Sequence, residues 1–166
     1  MKNLITLLLT IVSLSVYSQS PTDTIDYDNV NITYLETLLK EKLDNYRSNY
    51  DLPILVWEDT ISDGARNHSK EMSNKGYLYH AEMEYWNGEA CGYAYKSGVI
   101  TYEVVVIKLV TAFINSAPHR KILLYDDNTA GLGVFLDKDK KRFYFTYRSD
   151  AVFDTEEELV RHAFVN

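Results

Sequence analysis

Cysteine is almost missing from this chain. Cys91 is the single thiol in 166 residues, so no internal disulfide can form and packing must hold the fold. Cys91 itself reads as a small buried apolar residue rather than a reactive thiol. Basic residues are outnumbered, with 17 Lys and Arg against 24 Asp and Glu and a formal net charge of −7. That balance excludes a general nucleic-acid binder, which needs a basic face, and argues against attraction to anionic lipid. The N-terminal apolar run, Leu4 to Val16, is too short for a comfortable membrane span of about 20 residues. With Lys2 before it, and Val16 and Ser18 at the −3 and −1 positions, it reads as a signal peptide cleaved after Ser18. The chain also lacks a His-Glu-x-x-His helix and a Gly-x-Ser-x-Gly elbow.

The sequence divides into a signal peptide (1–18), a polar flexible arm (19–30), one domain (31–149) and a C-terminal extension (150–166). Thr33-x-x-Glu36 has capping-box spacing, and Leu35, Leu38, Leu39, Leu43 and Tyr46 then recur at helical intervals to about Asn49. Asp51-Leu52-Pro53 breaks that helix. A second helix runs from Asp59 or Thr60 to about Asn74, with Ile61, Ala65, His68 and Met72 on one face and Gly76 at its end. His68, on the apolar face, reads as a core histidine with one hydrogen bond.

Tyr77 to Lys96 is rich in Tyr and Gly without a clean period, and is expected to be loop with short extended pieces. A third helix spans Thr101 to Asn115, with Val105, Leu109, Ala112 and Phe113 inward, and is stopped by Pro118. Its β-branched half, Val104 to Ile107, also suits a strand. A helical turn over Arg120 to Leu124 follows. Thr129 to Leu136 and Arg142 to Ser149 are strands joined by a charged hairpin loop. A short helix is expected in the extension, where Thr155-x-x-Glu158 precedes Leu159, Val160, Ala163 and Phe164.

His80, Glu89 and His119 all fall in or beside loop-like sequence. Two imidazoles and a carboxylate converging on one cleft can hold a transition metal with a coordination position open. Arg47 and Arg120 are expected to pair with carboxylates or cover apolar surface. Trp57 is a candidate for the core and Trp86 for a cleft rim. Tyr77, Tyr79, Tyr85, Tyr93 and Tyr95 are expected to fill the core, the alternative being a groove for a sugar or apolar ring.

The pieces LLKEKLDNYRSNYDLPILVWEDTIS (38–62), ARNHSKEM (65–72), GYLYH (76–80), Gly88-Glu89, and SAPHRKIL with GLGVF (116–135) come in an order that resembles a bacterial CAP superfamily (SCP-like) domain. That family includes cysteine-rich secretory proteins, venom antigen 5 and plant pathogenesis-related class 1 proteins. The resemblance, over about 32–149, implies an α+β fold: a three-layer α-β-α sandwich around a small mixed, largely antiparallel sheet. It implies His80 and His119 as cavity histidines and Glu89 as the glutamate of a Gly-Glu-Asn motif. Ala90 replaces that Asn, and Ser-Ala-Pro-His replaces Ser-Pro-Gly-His. The family's fourth cavity residue, a glutamate, would fall near Ser116, and Glu103 lies too far upstream to replace it.

The expectation is a secreted, monomeric, non-catalytic binding domain. Its site, His80, Glu89 and His119, would take zinc or another divalent ion, or a small-molecule, lipid or glycan ligand. No organic cofactor, nucleic-acid partner or stable membrane insertion is expected. The alternative is a metal-dependent hydrolase of peptides or cell-surface polymers, with Glu89 as ligand or base.

Overall fold

The computed structural model describes residues 19–82, 88–95, 98–127 and 129–150. The expected signal peptide, the C-terminal helix, Tyr85 and Trp86 lie outside the described residues. Helix α1 is Ile32–Ser48, strand β1 Val56–Trp57 and helix α2 Asp59–Lys75. Strand β2, Gly88–Tyr95, is followed by helices α3, Tyr102–Asn115, and α4, Ala117–Leu123. The hairpin β3, Thr129–Asp137, and β4, Arg142–Asp150, completes the described elements. The sheet order is β1-β3-β4-β2, with β1 parallel to β3 and the other pairs antiparallel. Helix α2 covers one face, and α1, α3 and α4 pack on the other side. This is the expected α-β-α sandwich with a mixed, largely antiparallel sheet.

Apolar period explains the helices. Ile61, Ala65, His68 and Met72 are all buried on α2, and Gly76 closes it in the left-handed region at φ 80. Leu35, Leu39 and Leu43 of α1 meet Val105, Leu109 and Phe113 of α3 in the main core, against Leu132, Val134, Phe143, Phe145 and Tyr147 of the hairpin. Ala112, expected inward, is exposed. The β-branched half of α3 is helical because Thr101 caps it, accepting from the Val104 amide, and its apolar residues reach the core at helical spacing.

Several local expectations change. Asn31, not Thr33, caps α1 through the Tyr34 amide. Glu36 instead accepts from the Val134 amide at 3.0 Å and from Arg66 at 2.8 Å. β1 pairs only with Thr129 and Ala130, so the Val134 amide lies past the end of β1 and Glu36 supplies its partner. Pro118 does not stop α3. That helix ends at Ser116, and Pro118 sits in the first turn of α4, where its missing N–H costs nothing. Arg47 is held mainly by backbone carbonyls. It is buried and donates to the carbonyls of Pro53, Leu123, Tyr125 and Asp127. Arg120 likewise donates to the Ile114 carbonyl at the end of α3. The polar arm makes defined contacts: Ile25 is buried, its amide donates to Ile100, and Thr24 bridges to Thr101.

The largest change is β2, an eight-residue strand where loop was expected. Its first four residues are all buried, because helices cover both faces there, and that coverage erases the alternation that marks a strand. Glu89 therefore sits in a strand and His119 in a helix. Only His80 is in irregular chain.

Helix α2 lies directly on β3. A Cβ at Gly131 or Gly133 would collide with α2 backbone at Ile61 and Ser62, or at Ala65 and Arg66. Gly133→Ala is expected to destabilise by about 3 kcal/mol, since backbone rather than a movable side chain must yield. Urea unfolding checks this, and an unchanged midpoint would contradict the close approach.

Candidate functional site

The site forms at β2, the edge of the sheet beyond β4. Along β2, alternate residues face α2, so Glu89, Cys91, Tyr93 and Tyr95 share one side with Arg148, Thr146, Tyr144 and Arg142, their partners in β4. The Glu89 carboxylate is fully buried. Its Oε2 accepts from Arg148 Nε at 2.9 Å. Its Oε1 accepts from the Ala81 amide at 2.9 Å, the Cys91 thiol at 3.4 Å and His80 Nδ1 at 3.1 Å. Burial pushes the carboxyl pKa up, but the Ala81 amide and Arg148 outweigh it, so Glu89 sits below its ordinary value. It is ionised at neutral pH and can only accept. His80 must then carry its proton on Nδ1.

That arrangement fixes the chemistry of His80. Nδ1 points at Glu89, so Nε2 is the nitrogen with a lone pair to offer. Carboxylate behind imidazole is the arrangement that orients a metal-binding or proton-accepting histidine. Glu89 meanwhile uses its two oxygens on four donors, about the full capacity of a carboxylate. The residue expected as a third ligand thus has both carboxylate oxygens hydrogen-bonded within the protein.

The loop carrying His80 is pinned on both sides. Ala81 binds Glu89, and the Tyr79 carbonyl accepts from His68 Nε2 at 2.9 Å. His68 is the satisfied core histidine that its place on the apolar face implied. It also underlies the site, 3.7 Å from Glu89 Oε1. Tyr79 is gripped further: Glu71 accepts from its hydroxyl at 2.9 Å, and Lys75 lies 3.9 Å from its ring centroid. Residues 68, 71, 72 and 75 face one way on α2, which makes that helix a socket for Tyr79. The spacing was visible in sequence, but the partner across the turn was not.

His119 belongs to α4, in the other helical layer, with its ring 4.8 Å from that of Phe113. Burial, and then the charge of His80, hold its pKa below the ordinary histidine value. The charge of His80 therefore reaches His119, which is neutral at pH 7. No second glutamate joins them among the described residues. Ser116 is the joint between α3 and α4, and Glu103 is in the first turn of α3 beside Pro21, away from the site.

His68, Glu89 and Cys91 bring potential ligand atoms within 4.8 Å of one another. They are a possible metal triad by donor type, but each atom is occupied. His68 Nε2 donates to a carbonyl and the Cys91 thiol donates to Glu89. Burial, then the Glu89 charge, push that thiol well above its ordinary pKa. An ion here would displace the buried thiol proton and break the bond of His68 to the Tyr79 carbonyl.

The fold is that of a three-layer α-β-α domain. Residues 40–148 match the model of CAP, the cysteine-rich secretory protein family. The chain belongs to that family, although it keeps one cysteine. Among solved structures, an outer surface protein of Borrelia burgdorferi aligns with a TM-score of 0.58 and 14% identity, over 79% of this chain and 99% of that one. An extracellular SCP-domain protein of Bacillus anthracis gives 0.53 and 22%, over 72% of this chain. It is matched over only 41% of its own length. At these identities the likeness is one of fold. No curated protein sequence matches.

A lowered His119 pKa has a definite sign. The unfolded chain takes up the proton first, so stability falls as pH drops through about 6.5 and levels off below the folded midpoint. Histidine NMR titration is expected to show a His119 midpoint below about 6.5. His80→Ala should raise that midpoint part of the way, because burial remains. A His119 midpoint unmoved by His80→Ala would separate the two side chains.

Proposed function

We propose that this chain is an exported, non-catalytic binding domain that presents two imidazoles, His80 through Nε2 and the neutral His119, to a divalent ion or small ligand. Glu89 carries the reading: buried, ionised and fully hydrogen-bonded, it fixes the His80 tautomer. The residues fit a metal in part. His80 and His119 would hold it, with Glu89 behind His80 as its orienting carboxylate. Zinc suits imidazole nitrogen and would supply Lewis acidity to whatever shared the site. Two protein ligands leave a site weaker than the usual three. Export is supported by the expected signal sequence and by the extracellular character in the name of the Bacillus protein. No helix among the described residues is long and apolar enough to cross a membrane.

The hydrolase reading draws less support. Glu89, its expected base or ligand, is held by Arg148 and Ala81 and cannot turn to a water without giving up both of those bonds in a buried position.

Calorimetry of the chain from Gln19 onward with zinc at neutral pH is the test. One saturable site is expected, abolished by His80→Ala with His119→Ala while the melting temperature changes little. Affinity should fall about 10- to 100-fold on Glu89→Gln, in a variant shown by circular dichroism to be folded. Binding that survives loss of both histidines would overturn the reading.

A further inference from the structure

The tyrosines expected to fill the core do not all do so. Tyr95 is 59% exposed, Tyr77 58% and Tyr93 41%. They form a strip with two further rings. Tyr77 lies 5.7 Å from Tyr79, and Tyr79 packs with Met72, Cys91 and Tyr144. Tyr144 is 6.0 Å from Tyr93, and Tyr93 is 6.2 Å from Tyr95. The strip lies on the α2 side of β2 and continues where α2 stops at Gly76.

Two cations rest on it. Lys75 Nζ is 3.9 Å from the Tyr79 ring centre, and the Arg142 guanidinium is 4.3 Å from that of Tyr93 and 5.8 Å from Tyr95 and Tyr144. Neither makes an ion pair with a carboxylate among the described residues, in a chain where acidic residues outnumber basic ones. Arg142 Nε also has no hydrogen-bond partner among the described residues, although the atom is buried. Aromatic faces hold these charges in place without neutralising them. The surface thus offers the exposed rings of Tyr93 and Tyr95, 6.2 Å apart, and that of Tyr77 beside the half-buried Tyr79, with Lys75 and Arg142 lying on ring faces and feeling Glu71 and Asp137 only from beyond ion-pair distance.

We propose that this strip binds an acidic glycan, a short run of uronic-acid or similarly charged sugars. Pyranose C–H faces would pack on Tyr77, Tyr93 and Tyr95, and sugar carboxylates would meet Arg142 and Lys75. The charge complementarity selects an acidic over a neutral saccharide. The negative net charge of the chain confines binding to short, local contact. The inference is independent of the two-histidine cleft.

The test titrates a hexamer of galacturonic acid into the chain from Gln19 onward, followed by amide NMR shifts, with cellohexaose as the uncharged control. Saturable binding of the acidic hexamer is expected, with shifts centred on residues 75–79 and 93–95 and weakening with salt. Tyr95→Ala and Lys75→Gln, both at exposed positions, should each weaken it at least fivefold, and Arg142→Gln at least tenfold. His80→Ala should leave it unchanged, so failure here and failure of the metal reading are distinguishable. No binding, equal binding of cellohexaose, or binding that persists in the Tyr95 and Lys75 variants would overturn the proposal.

Discussion

A buried carboxylate organises this molecule's candidate site. Glu89 has no exposed side-chain surface, and an unpaired charge in that position would cost several kcal/mol, on the order of the whole stability of a domain. Arg148 on the neighbouring strand balances it. The remaining acceptor capacity of Glu89 is then spent on the loop before β2, through the Ala81 amide and the His80 ring. Strand, loop and histidine are tied by one group. The same ties occupy both carboxylate oxygens of Glu89 within the protein.

The frame behind this group replaces crosslinks with contact. The family's name refers to cysteine, yet this chain holds its layers with glycines that admit α2 onto β3, with Glu36 satisfying the Val134 amide, and with Arg47 gathering four carbonyls. Arg47 binds Leu123, the last residue of α4. The helix carrying His119 is thereby anchored to α1 from inside the core. Both histidines are thus positioned by buried charged residues, His80 by Glu89 and His119 at one remove by Arg47.

Legibility in the sequence followed the range of the interaction. Periodic apolar residues gave the three long helices and the hairpin almost to the residue, because a helix face or an alternating strand repeats within a few positions. Gly88–Tyr95 was missed because coverage of both faces removes alternation. Glu36 looked like half of a capping box, a local pattern, while its true partner is 98 residues away. His80, Glu89 and His119 were legible through family order. The structure pairs His80 with Glu89, and the charge of His80 reaches His119. What sequence could not show was the direction of each bond. Four donors converge on Glu89, two of them, Ala81 and Arg148, without any motif to announce them. The tyrosines misled for a related reason: composition does not say whether a ring lies under a helix or past its end.

The central claim is that Glu89 orients His80 and holds its proton on Nδ1. Nitrogen-15 NMR of the histidine rings at pH 7.5 without metal measures this directly. The account predicts that His80 is the Nδ1–H tautomer with an unprotonated Nε2, and that Nε2 is the nitrogen whose resonance moves on adding zinc. An Nε2–H tautomer, or a zinc-dependent shift at Nδ1, would contradict it and return Glu89 and His80 Nδ1 to the list of groups free to bind.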